Sequence, residues 1–148
     1  MKTMPRLTPL NKFRSLQEIC EANYRKLLRL IPQLACLKRC AVARLGSKPA
    51  LYLELKEKGP YTVTLELSYC LRHGAEPVFE PGLRLKVYLD VRMVEVVGDC
   101  ELKRARLEVE KALEHKWLSN YFLSKWLDHC LYQGYRFSVA DDPAWLEV

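Results

Sequence analysis

The chain has 148 residues, enough to bury a core as one domain, and its 49% hydrophobic and 28% charged content is that of a globular protein. It contains no run of eighteen apolar residues, which argues against a transmembrane helix, and its basic, proline-interrupted start lacks the apolar centre of a secretory signal, so the expected address is the cytoplasm. The net charge of +6 is uneven: residues 1–48 carry eleven Lys/Arg against two acids and the remainder is slightly acidic, which suits an anionic partner or a contact between oppositely charged subunits.

Residues 1–14 read as an irregular arm, followed by a single domain over residues 15–148. The segment "SLQE", Ser15 to Glu18, has the form of a capping box, in which the serine hydroxyl accepts an amide of the first turn and the glutamate reaches back. The helix it opens is expected to end near Ile31, because Pro32 disfavours helical geometry in the residue before it. Leu16, Cys20, Tyr24, Leu27 and Ile31 form its apolar stripe, and Arg25, Lys26 and Arg29 fall on the opposite side.

From about residue 40 the period becomes two. "ALYLELKE" alternates leucines with polar residues, Lys58-Gly59-Pro60 turns, and "YTVTLELSYCL" returns. "RHGAEPVFEPG" reads as a loop, and "LRLKVYLDV" then alternates through Val91. "RMVEVV", Gly98-Asp99 and "CELKRARL" read as a further hairpin. Short turns between neighbouring strands imply an antiparallel meander. A long helix from about Leu113 to Gln133 follows, with Gly134 placed for a left-handed cap, and the tail offers an edge strand. The expected fold is α+β: a meander of about five strands with both helices on one face.

Three reactive side chains stand together at Asp128, His129 and Cys130. Successive helical residues turn by about 100°, so the three cannot converge on one reacting atom, and Cys130 belongs to the core face. They are read as helix residues and not as a triad. Without a secretory signal the six cysteines are expected to be reduced, and only Cys36 and Cys40 lie close together. His73, in the Pro/Gly loop, is the histidine best placed for a role. The chain lacks phosphate-loop, dinucleotide, zinc-protease and nucleophile-elbow patterns, and no catalytic residue, metal or cofactor is assigned.

Three surfaces are candidates for binding. Arg25, Lys26, Arg29, Lys38 and Arg39 could contact phosphates, which would position a nucleic acid without reading its sequence. Trp117, Tyr121 and Tyr132 lie on the outer face of the last helix, around Lys125 and Asp128, and have the character of a protein contact or of a face covered by the tail. Asn23 and Asn120 lie on core-facing sides of their helices. A buried amide must find partners, so the favoured expectation is that they bond each other or the backbone and fix the helix pairing. The alternative is a polar pocket formed with Tyr88, Asp90 and Glu95.

The segments "CEANYRKLLRLIP", "LKVYLDVRMVEV" and "NYFLSKWLDHCLYQG" together resemble the YqiB-like family of small bacterial proteins, a domain of unknown function. By that resemblance Cys20, Glu21, Asn23, Leu27, Pro32, Tyr88, Asp90, Glu95, Asn120, Trp126 and Gly134 match family positions. The chain departs from the pattern at Leu89, where the family usually has a histidine, and in the connection that begins "VVGDC", which is short and lacks a Tyr-Pro segment. A catalytic role for that histidine in relatives could not extend to this chain. The resemblance implies no activity.

The leading expectation is a non-enzymatic binding or adaptor protein with a protein partner, including a second copy as a homodimer. Sequence-nonspecific nucleic-acid binding and a small-ligand or enzymatic pocket at Tyr88 and Asp90 are the alternatives, and no membrane partner is expected.

Overall fold

A computed structural model describes residues 9–73, 76–98 and 109–138. Its elements are α1 (Pro9–Leu30), a 3-10 turn (Leu34–Cys36), β1 (Cys40–Ala43), β2 (Ala50–Lys58), β3 (Thr62–His73), β4 (Glu76–Tyr88), β5 (Met93–Val96) and α2 (Val109–Gln133). The strands form one antiparallel sheet in chain order, β1 to β5. The alternation that identified the strands also sets the core: Leu51, Leu53, Leu65, Leu67, Leu85, Val87 and Val94 are buried on one face. Leu27 and Leu30 of α1 and Leu123 and Leu127 of α2 close over them in a single cluster. This is the α+β meander that the sequence predicts. Among the described residues no helix is long and apolar enough to cross a membrane.

Three boundaries differ from expectation. First, α1 starts at residue 9, so Ser15 is inside the helix and does not cap it. Contacts with α2 carry the extra turn: Lys12 Nζ meets Glu114 at 3.2 Å, and Ser15 Oγ accepts from Trp117 Nε1 at 2.9 Å. Second, the expected Pro/Gly loop is strand, with β3 and β4 paired through His73 and Glu76. Pro77 and Pro81 fit because β5 pairs only with residues 85–88, so among the described residues the other edge of β4 is open beside them and needs no amide donor. A bulge in β4 at Pro81 and Gly82 (φ +68°), opposite Ser68, takes up the register shift between Leu67 and Tyr69. Third, β4 stops at Tyr88, and the next four residues are a turn rather than strand.

The far end of α2 behaves as its sequence indicates. Gly134 has φ +101°, its amide donates to the Leu131 carbonyl at 3.1 Å, and the Tyr135 amide donates to the Cys130 carbonyl at 3.1 Å, which is a Schellman cap. The chain then runs inward and not as an edge strand over the described residues. Tyr135 donates its hydroxyl to the Pro49 carbonyl at 2.6 Å, and Phe137 is buried with its amide on the Leu30 carbonyl at 2.9 Å. Phe137 therefore fills the core and does not cover the outer face of α2. The expected hairpin through residues 99–108 and the tail beyond residue 138 lie outside the described residues.

Candidate functional site

Helical spacing places Glu21, Arg25 and Arg29 in one row along the rim of α1, with Tyr24 and Leu28 beside it. Opposite this rim lies the turn between β4 and β5. Asp90 shapes that turn by accepting the Val91 amide on Oδ1 at 3.0 Å, and the Leu89 amide bonds the Tyr61 carbonyl at 2.8 Å. Arg92 has φ +57°, a left-handed conformation that costs a non-glycine residue about 1–2 kcal/mol and is held here by the turn. Between rim and turn is a cleft of about 670 Å³ lined by Glu21, Tyr24, Arg25, Leu28, Arg29, Val91 and Arg92. Three arginines from two elements, with one glutamate, give it a net positive lining. Each guanidinium presents donors in a fixed fork that matches a phosphate or carboxylate.

A second recess, of about 230 Å³, adjoins the first and is lined by Cys20, Tyr88, Val91, Met93 and Glu95. The Tyr88 hydroxyl donates to Glu95 Oε1 at 2.5 Å, and Lys116 Nζ of α2 lies 3.4 Å from Glu95 Oε2. Burial, and then the bond to Glu95, raises the Tyr88 hydroxyl above the usual phenol range. Burial, and then the Glu95 charge, pushes the Cys20 thiol up to about 12. Cys20 is therefore a neutral wall at physiological pH and not a nucleophile. At the other end of the fold burial raises Cys130 to about 11, with the Tyr69 hydroxyl 3.7 Å away, so the core-facing reading of that thiol holds.

The expected polar pocket is only partly assembled. Tyr88 and Glu95 meet, but Asp90 belongs to the turn and is exposed, because β4 ends before it. Asn23 and Asn120 are fully buried between the helices instead. Asn23 Nδ2 donates to the Asn120 carbonyl at 3.0 Å, Asn120 Nδ2 donates to the Lys116 carbonyl at 2.8 Å, and Asn120 Oδ1 accepts the Val96 amide at 2.9 Å. The last bond satisfies the Val96 amide on the side of β5 away from β4, and this structural role is the one favoured for the pair.

The basic strip is also divided. Lys26 turns toward α2, where its Nζ meets Asp128 at 2.9 Å and donates to Ser124 Oγ at 2.7 Å. Asp128 is thus at the helix seam and not on the outer face. Arg25 and Arg29 remain exposed at the cleft, while Lys38 and Arg39 are exposed beyond the 3-10 turn and do not line it. Of the aromatic surface, Trp117 is drawn into the seam by Ser15 and stacks on Tyr121 with centroids 5.0 Å apart. Tyr121 carries Lys125 above its ring at 5.3 Å, and Tyr132 stands apart and is 88% exposed. Leu118 and Phe122 are exposed on this helix as well, which the sequence reading did not single out.

Of the cleft residues, only Arg25 and Arg29 were assigned to a site from the sequence; Arg92 and Val91 are the most consequential omissions. Reading "LDVRMVEV" as strand hid the turn. The available signal was Asp90, a residue type whose side chain bonds amides in tight turns. Leu89, at the position where the resembled family has a histidine, packs against the core. The side chain of His73 lies outside the described residues.

A family model described as "Protein of unknown function (DUF1249)" matches residues 26–136, which includes the C-terminal end of α1, all five strands and α2. No curated protein and no solved structure matches the chain.

Proposed function

We propose, for a chain that belongs to the DUF1249 family of proteins of unknown function, that it is a binding protein that captures an anionic group in the cleft between α1 and the β4–β5 turn. The observation that carries this reading is the meeting of Arg25, Arg29 and Arg92, from two separate elements, on one concave surface. Guanidinium groups are spread apart on a merely solvated face, whereas a cleft that gathers three of them concentrates positive potential where a phosphate or carboxylate can accept from more than one. Cys20, the thiol that lines the adjoining recess, is held protonated, which favours capture over covalent chemistry.

The same geometry favours a compact anion over a long polyanion. A strand of nucleic acid needs a track of phosphate contacts, and the row of cations is interrupted where Lys26 is taken by Asp128 and where Lys38 and Arg39 lie away from the cleft. This anion-binding reading departs from the expected adaptor acting through protein–protein contacts. We extend it to a setting in the bacterial cytoplasm, which the YqiB-like resemblance implies.

The test is a titration of inorganic phosphate and of a generic single-stranded RNA at two salt concentrations, with the wild type and two variants. Arg25/Arg29/Arg92→Ala is expected to lose phosphate binding, and Lys38/Arg39→Ala to keep it. RNA binding that falls steeply with salt and vanishes in Lys38/Arg39→Ala would replace this reading with the nucleic-acid one. Binding of neither anion by the wild type would end it.

A further inference from the structure

We propose that the arginine cleft and the recess beside it form one two-compartment site, for a small ligand that joins an anionic group to a flat aromatic group. The inference rests on the anion-binding reading above and adds the chemistry of the rest of the ligand.

Val91 is the one residue that lines both cavities, and its side chain is exposed rather than packed between them (57%). A ligand seated among the arginines reaches the recess by passing over this one side chain. The charges of the two compartments then fix its direction. The cleft holds three guanidinium groups against Glu21, whereas the recess holds the Glu95 carboxylate. The arginines retain the anion, and the recess, where Glu95 is paired with Lys116 and no guanidinium is present, is left to the uncharged end.

The recess suits a ring in size and in surface. Its volume is about 230 Å³. An engineered apolar cavity of about 150 Å³ already accommodates benzene. The Tyr88 ring, the Met93 thioether and the Cys20 thiol supply polarisable walls of the kind that pack against aromatic faces and edges. Tyr88 is held in place by its hydroxyl on Glu95, and Glu95 by Lys116. Because Cys20 keeps its proton, it contributes a packing surface and adds no charge to compete with the anion.

The experiment compares inorganic phosphate with phenyl phosphate by isothermal titration against the full chain, and repeats both with Met93→Trp, which fills the recess, and with Arg25/Arg29→Ala. The proposal expects phenyl phosphate to bind wild type at least about tenfold more tightly than inorganic phosphate. Met93→Trp should erase that advantage while leaving phosphate affinity within about twofold, so its retained phosphate binding also reports that it is folded. Arg25/Arg29→Ala should weaken both ligands. Phosphate bound with no gain from the ring would overturn the two-compartment site and leave the anion reading standing. A ring advantage that survives Met93→Trp would overturn the placement of the ring in this recess. If neither ligand binds wild type, the anion reading fails and this inference fails with it.

Discussion

Replacing Asn120 with alanine should be among the most damaging single changes in the helix seam, for a reason the geometry makes specific. The Asn120 side chain is fully buried, and its Oδ1 accepts the Val96 amide at 2.9 Å. Alanine leaves that amide, at the edge of β5, without a partner in a dry interface. An orphaned buried donor costs about 1–3 kcal/mol, and the bond itself about 1 kcal/mol, so the expected loss is about 2–4 kcal/mol. The carbonyl of Lys116 suffers less, because it is inside α2 and retains its helical bond. Asn23 provides the contrast. It makes one side-chain bond, to the Asn120 carbonyl at 3.0 Å, and its Oδ1 has no partner among the described residues. Asn23→Leu removes a donor and an unsatisfied acceptor together, so it should be neutral or stabilising within about 1 kcal/mol. Urea unfolding followed by circular dichroism at 25 °C reads both values, with an unchanged m-value as the check that the denatured state is the same. Asn120→Ala within about 0.5 kcal/mol of wild type, or Asn23→Leu costing as much as Asn120→Ala, would refute the reasoning.

Other expectations follow from the same geometry. Lys26→Ala should cost about 0.5–1 kcal/mol, since its ion pair with Asp128 is partly exposed, and should leave phosphate affinity within about twofold, whereas Arg29→Ala weakens it about tenfold; paired stability and titration measurements separate these two basic residues of α1. Arg92→Gly should fold at least as stably as wild type, because glycine accepts φ +57° without strain, yet bind phosphate more weakly; a less stable variant would show that the side chain holds the turn. In native protein at pH 8, iodoacetamide should modify exposed Cys36 quickly and Cys20 about a thousandfold more slowly than an ordinary thiol, since its pKa is raised to about 12; equal labelling in peptide mapping contradicts this. The raised thiols also set a pH dependence. Neutral Cys20 and Cys130 are favoured by the fold, so their contribution is complete below the ordinary thiol pKa of about 8.5 and is lost as pH rises toward the folded values of about 12 and 11. Thermal unfolding temperature should therefore fall from about pH 9 upward, and a flat profile to pH 11 would count against burial of these groups.

The meander was legible because alternation is a local signal, and Leu51, Leu53, Leu65 and Leu67 carry it without help from distant residues. The cap of α2 was legible for the same reason, since one glycine at the right place suffices. The start of α1 was not. Ser15 fits a capping signature, and only its bond to Trp117, 102 positions away in the chain, shows that it is needed elsewhere. Prolines made residues 72–82 resemble a loop, because a sequence does not reveal that the strand carrying them has an open edge. Lys26 illustrates the limit most clearly. Helical spacing gives the direction of a side chain relative to its own axis, but not that Asp128 of α2 waits there. For the candidate site, Arg25, Arg29, Tyr88 and Glu95 were visible as chemistry, and the roles of Asn23 and Asn120 as buried amides were visible as a need. The convergence of Arg92 on Arg25 and Arg29 depends on a turn with one left-handed residue, which strand-like alternation concealed.

The most direct test of the anion-binding cleft is a nuclear magnetic resonance titration of isotopically labelled protein with inorganic phosphate, followed at each backbone amide. The account predicts saturable shifts concentrated at Arg25, Arg29, Val91 and Arg92, absent from the Arg25/Arg29/Arg92→Ala variant. Saturable shifts centred instead on Lys38 and Arg39, or no saturable shift at the cleft, would contradict it.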